Sequence, residues 1–240
     1  MNVLKKLNIP KDCEVNQFVA KKHFYENAGL FKSDNDLFVD VKKITVLYQL
    51  SSDKINIPQY IDDIRNYPFI NFLEVQLLKD VKTKRLAEII MRSIPSPMVL
   101  IFTLEEKIRF YVAHQRTNQN DSSKNTIEEF ISTDWLETDN PLFEKLDIRQ
   151  MRFTNFYDLY SDIVDVISIY NANTMMQSEK ELTGEQARQL IARIEAIEQE
   201  INFLKAKLRK EIQFNRKMEL NTEIKKQEQK KEICLEGIEE

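Results

Sequence analysis

Glu74, Gln76 and Lys79 come nearest, in type and spacing, to a reaction centre in this chain. Side chains alternate along an extended strand, so Glu74 and Gln76 share a face, and Lys79 follows three residues after the glutamine. Acidic groups and a lysine converging on a divalent ion are what metal-assisted phosphodiester cleavage requires, because the ion both holds the phosphate and activates the attacking water. Asp40, Asp53, Asp62 and Asp63 are candidates for the second acid only because they precede the strand. A polar face on a sheet edge accounts for the same letters. A Mg-dependent nuclease on Glu74, Gln76 and Lys79 is therefore the competing reading. The expectation is a non-enzymatic chain without catalytic residue, metal or cofactor.

Other reactive side chains are few. His23 and His114 are the only histidines, and neither has a nucleophile or carboxylate beside it that sequence identifies, so both read as structural. Cys13 and Cys234 lie near opposite ends with no CxxC partner, the pattern of reduced thiols in a cytoplasmic protein. Arg209, Lys210, Arg216 and Lys217, with Lys205, Lys207 and the aromatic Phe214, form a basic cluster with Glu211 as its one acid. Such a cluster suits phosphate contact, and a solvated helix face explains it equally.

The elements that would position these groups centre on residues 69–114. Phe69–Leu78 reads as a strand, Thr83–Ile94 as a helix with apolar residues at helical spacing, and Met98–Leu104 and Lys107–His114 as strands joined by a tight turn at Glu105–Glu106. A strand–helix–strand of this length is the crossover of a parallel pair. Ile44–Leu50 adds a strand, and Lys21–Ala28 a helix that ends at Gly29. Ile55–Tyr67 reads as loop with a helical turn, and Gln115–Thr126, without one apolar residue, as an exposed mobile loop. Glu128–Leu136 reads as a further strand. Thr154 is placed to cap a helix striped by Phe156, Leu159, Tyr160, Ile163, Val166, Ile167 and Tyr170. The order resembles the core of restriction-type endonucleases, whose metal site is Asp followed by Glu-x-Lys on the central strand. Here Gln76 stands at that lysine.

Composition shifts near Ser178. Leu190, Ile194, Ile197, Ile201, Leu204 and Leu208 repeat by four and three, a heptad seam that must bury itself against something. Beyond Glu211 the pattern weakens to Phe214, Met218, Leu220 and Ile224. An antiparallel hairpin reversing within Lys210–Lys217 fits, as does one helix of roughly 80 Å paired in a homodimer. Because the return arm is poor in apolar residues, part of the seam is expected to await a partner. The fold class that follows is α+β: a mixed sheet with packed helices over residues 1–177, and a C-terminal helical hairpin or coiled-coil arm over 178–240.

Composition narrows the classes further. Of 240 residues 42% are hydrophobic, enough for a core, while three glycines leave no glycine-rich phosphate loop. A net charge of −4 opposes general attraction to nucleic acid, leaving only local patches. Met1–Lys6 has no apolar run after it, so no secretory signal is expected, and the apolar block at Met98–Phe102 is too short for a bilayer.

Several segments together resemble a bacterial and archaeal family known as domain of unknown function 4391. They are Ile9–Val15 (IPKDCEV), Lys21–Ala28 (KKHFYENA), Ile44–Leu50 (ITVLYQL), Ile94–Pro97 (IPSP), and Lys210–Arg216 (KEIQFNR) with Glu219–Asn221 (ELN). Ala20 stands where relatives often carry proline. The resemblance implies genomic company with helicases and DNA methyltransferases in restriction-like, antiphage loci, and hence an accessory or adaptor subunit docking one of them through the helical arm, with DNA contact an open alternative. It offers no catalytic residues to transfer. Among its recurring segments Lys21, Lys22, Tyr25 and Glu26 are the chemically capable members of an expected interaction surface.

Overall fold

The computed structural model describes residues 3–27, 32–94, 96–117 and 125–236. Over these the chain runs β1 (Glu14–Phe18), α1 (Lys22–Asn27), α2 (Lys32–Leu37), β2 (Val41–Ser51), α3 (Ser52–Ile55), β3 (Tyr60–Ile61), β4 (Asn66–Tyr67) and β5 (Phe69–Leu77). It continues through α4 (Thr83–Ser93), β6 (Met98–Leu104), β7 (Lys107–Val112), β8 (Gln115–Thr117), β9 (Asn125–Ile127) and β10 (Ile131–Ser132). Four helices close it: α5 (Leu142–Lys145), α6 (Phe156–Met176), α7 (Gly184–Lys210) and α8 (Phe214–Glu236). The chain separates into two units at Ile167/Ser168, within α6.

The first unit is built on a mixed sheet in the order β1-β2-β5-β6-β7-β10, in which β5 and β6 are parallel and every other pair antiparallel. Parallel neighbours need a long crossover, and α4 supplies it. Alternation along β5 sends Leu73, Val75 and Leu77 into a core with Leu86, Ala87, Ile89, Ile90 and Met91 of α4 and Met98, Leu100 and Phe102 of β6. Each large side chain buried there contributes about 1.5–3 kcal/mol. The intervening residues of β5, Phe72, Glu74 and Gln76, take the opposite face.

Several expected elements differ. β1 is a strand although four of its five residues are exposed, because its stability comes from the ladder to β2 and not from an apolar face. Within Glu128–Leu136 only Ile131–Ser132 and a lone bridge at Leu136 pair with β7. The Thr133 hydroxyl accepts the Phe110 N–H at 3.1 Å and so interrupts the ladder. Ile55–Tyr67 holds the β3–β4 hairpin, whose turn is organised by the Asp62 carboxylate accepting the Ile64 and Arg65 N–H groups. Asn155, not Thr154, caps α6: its side-chain oxygen accepts the Asp158 N–H at 2.9 Å. The ends of the polar stretch from Gln115 pair as β8 and β9, and Gln115 is buried, while residues 118–124 lie outside the described ones, as do Ala28 and Gly29.

In the second unit Thr183 opens α7 with a reciprocal cap: its hydroxyl accepts the Gln186 N–H, and the Gln186 side-chain oxygen accepts the Thr183 N–H. Glu211 accepts the N–H groups of Ile212 and Gln213 at 2.8 and 2.9 Å, which turns the chain into α8. The two helices lie antiparallel, with ion pairs Lys205–Glu228 and Lys231–Glu198 between them. The single unbroken helix is thereby replaced by the hairpin.

Candidate functional site

Two places in the chain gather chemically capable side chains. The first is a cavity of about 510 Å³ where β5 and β6 end, with Lys42, Glu74, Gln76, Thr103, Glu105 and Glu106 on its lining. Parallel strand ends form such crevices because the connections that follow them diverge. Glu74 and Gln76 enter it by alternation, and Thr103 sits across the parallel register from Gln76. Lys42 arrives by a register shift: Val41 pairs with Leu77 and Lys43 with Gln76, so Lys42 is one residue extra on β2. Glu105 and Glu106 form the tight turn to β7, and Glu105 holds φ of 54°, a left-handed position that glycine would occupy with less strain.

Glu74 is only 4% exposed. Its carboxylate accepts from Gln76 Nε2 at 3.0 Å and from Thr103 Oγ1 at 3.2 Å, and it makes no ion pair among the described residues. A buried carboxylate held only by neutral donors is costly, since its desolvation is offset by hydrogen bonds without an opposing charge. The proposed lysine does not join it. β5 ends at Leu77, alternation ends with it, and Lys79 lies on the surface in an ion pair with Asp40 at 3.2 Å. Asp62 caps a turn, where backbone N–H groups of Arg65 and Ile64 hold its carboxyl below the usual range, and Asp53 and Asp63 are exposed. Among the described residues no three His, Cys, Asp or Glu side chains converge to hold a metal. Of Glu74, Gln76 and Lys79, the cavity thus brings together the first two, and the cation on its lining is Lys42.

The second place is the turn of the hairpin. Arg209, Lys210, Arg216 and Lys217 are all exposed there, as the sequence pattern implies. Between them stand Ile212, 90% exposed, and Phe214, 74% exposed, with Met218 and Phe203 also open and Lys207 Nζ lying 4.1 Å over the Phe203 ring. Glu211 is held below the ordinary carboxyl range, first by the Gln213 and Ile212 N–H groups and then by Arg216 and Lys217. The heptad stripe is not the open surface. Ile194, Ile201 and Leu204 are buried and Leu190, Ile197 and Leu208 half-buried, so among the described residues of α7 and α8 and their turn the exposed large apolar groups are Phe203, Ile212, Phe214 and Met218, towards the tip. Ile212 and Phe203 fall off the stripe, and that was their only signal in the sequence.

Of the remaining candidates, Lys21 and His114 make structural contacts. Lys21 Nζ donates to the Phe38 carbonyl at 2.8 Å and ties α1 to the start of β2; Lys22 is exposed, and the side chains of Tyr25 and Glu26 lie outside the described residues. His23 is exposed on α1. His114 is packed against Tyr67, Tyr157 and Tyr160, with Nδ1 2.8 Å from the Tyr67 hydroxyl. Burial pushes the Tyr67 phenol up to about 12, and pushes the fully enclosed Tyr160 up as well. Arg65 lies 4.9 Å over the Tyr157 ring and pairs with Glu128. Nothing in the sequence marks this cluster, because its members meet only through the tertiary fold.

A family model described as "Domain of unknown function (DUF4391)" matches residues 7–230. No curated protein and no solved structure matches the chain. No helix among the described residues is long and apolar enough to cross a membrane.

Proposed function

The chain belongs to the DUF4391 family, and from that premise we propose that it is a non-enzymatic accessory subunit of a DNA-processing defence assembly. Its role is to dock a helicase or DNA methyltransferase encoded in the same locus, and the docking element is the tip of the α7–α8 hairpin. The observation that carries this reading is the exposure of Ile212 and Phe214 at a helix turn flanked by Arg209, Lys210, Arg216 and Lys217. Covering each of the two apolar side chains would contribute about 1.5–3 kcal/mol, the scale of an interface anchor. Four cations around them call for an apolar pocket with an acidic rim. A second copy of the same tip would bring like charges together, which disfavours tip-to-tip pairing. Phe214 and Phe203 would offer a base a ring to stack on, whereas Ile212, the most exposed of the four, and Met218 would not, so a protein pocket is the occupant that covers them all.

The test is reconstitution with the helicase or methyltransferase of the same locus. A complex that survives high salt and is lost when Ile212 and Phe214 are both changed to Glu supports the reading. Undiminished assembly by that variant overturns it. So does an affinity directed at DNA that falls steeply with salt and disappears on charge reversal of Arg209, Lys210, Arg216 and Lys217.

A further inference from the structure

The cavity at the ends of β5 and β6 has a chemistry of its own that the docking tip does not use. We infer that it binds an organic cation, an alkyl ammonium or guanidinium group, with the buried Glu74 carboxylate as the counter-charge on its floor. Charge sets the sign of the ligand. Glu74, Glu105 and Glu106 face a single cation, Lys42, across the lining. Glu74 in particular is buried without an ion pair among the described residues, so an entering cation supplies the charge that its two neutral donors do not. Thr103 and Gln76 hold the carboxylate in place through hydrogen bonds, so it meets the ligand already oriented.

Size and lining select the class within that sign. About 510 Å³ is the range of small-molecule sites and far exceeds a bare metal ion. No group of three metal-ligating side chains is present among the described residues, which leaves a divalent ion without a cage. Val3 and Ile108 give the cavity an apolar wall suited to a methylene stem. A cationic head on Glu74, an alkyl stem along that wall and a second positive group near Glu105 and Glu106 describe either a free polyamine or a basic side chain of a protein.

Titration calorimetry on the full chain distinguishes these sources and tests the claim, with spermidine as one probe and a terminally blocked Lys-Arg peptide as the other. Saturable binding of either probe is expected, the tighter one naming the source, with about tenfold loss in Glu74→Gln. Lys42→Ala, a change at an exposed position, is expected to tighten binding about threefold by removing the like charge. It keeps the test open if Glu74→Gln fails to fold. No binding of either probe overturns the inference, as do equal binding by Glu74→Gln and unchanged or weaker binding by Lys42→Ala. Glu74-dependent binding of manganese or of inorganic phosphate in place of both probes overturns it too.

Discussion

Replacing Tyr160 by phenylalanine removes a single oxygen from the place where α6 meets the sheet. The Tyr160 hydroxyl lies 2.8 Å from the Met98 carbonyl and 3.1 Å from the Ala113 carbonyl, and accepts the Ala113 N–H at 3.1 Å. One phenolic proton serves one carbonyl at a time, so the variant loses one donated bond and strands one N–H. Tyr160 is fully buried, and water does not replace the lost partner. An orphaned buried donor costs about 1–3 kcal/mol, and the lost donated bond adds about 1 kcal/mol. The ring still fills its volume, so no cavity cost is added. The sum of about 2–4 kcal/mol lowers the melting temperature of the first unit by about 5–12 °C for a unit of this size. Thermal unfolding followed by circular dichroism measures the shift, and amide exchange at Ala113 reports the stranded group directly. A melting point within about 1 °C of the parent, with the Ala113 amide still protected, would refute the reasoning.

Alkaline titration tests the same aromatic cluster. The folded state holds the Tyr67 proton more tightly than the unfolded state, so the stabilisation is complete below the ordinary phenol value of 10 and is lost as pH climbs through about 12. Phenolate absorbance is expected to show Tyr67 and Tyr160 ionising late and together with unfolding; early, reversible ionisation of every tyrosine would contradict this. At the acid end the Arg149 guanidinium, aided by the Arg149 N–H and the Asn8 amide, depresses the Asp147 carboxyl to about 2. Its contribution is present above the ordinary value of 3.8 and lost as pH falls towards 2, so Asp147→Asn is expected to flatten the loss of melting temperature across that window.

How much of this was legible in the sequence depends on where each residue finds its partners. The run β5–α4–β6–β7 could be read because apolar residues recur at strand or helix spacing and the partners are the next elements along the chain. The antiparallel reversal of the arm was readable as one of two geometries; what decided it was Glu211, whose carboxylate folds onto its own following N–H groups. β1 escaped because an edge strand held by backbone hydrogen bonds need not alternate. Glu74 and Gln76 were legible as one polar face, whereas Lys42 joined them through a register shift on a neighbouring strand. Lys79 was a candidate only by its nearness in sequence to Gln76, and beyond the end of β5 it pairs with Asp40 instead. At the tip the basic residues and Phe214 were legible as a cluster, whereas Ile212 and Phe203 were not: seven-residue periodicity identifies what a helix buries, and these two lie outside it.

The claim on which the account rests is that the hairpin tip is gripped by a protein. A photo-crosslinking amino acid at position 214, in the chain mixed with the proposed helicase or methyltransferase partner, tests this most directly. The account predicts a crosslink to an apolar site with an acidic rim on that enzyme, and none from the same probe at exposed Gln189 on α7. Crosslinks from position 214 that go to DNA, or that are no stronger than those from position 189, would contradict it.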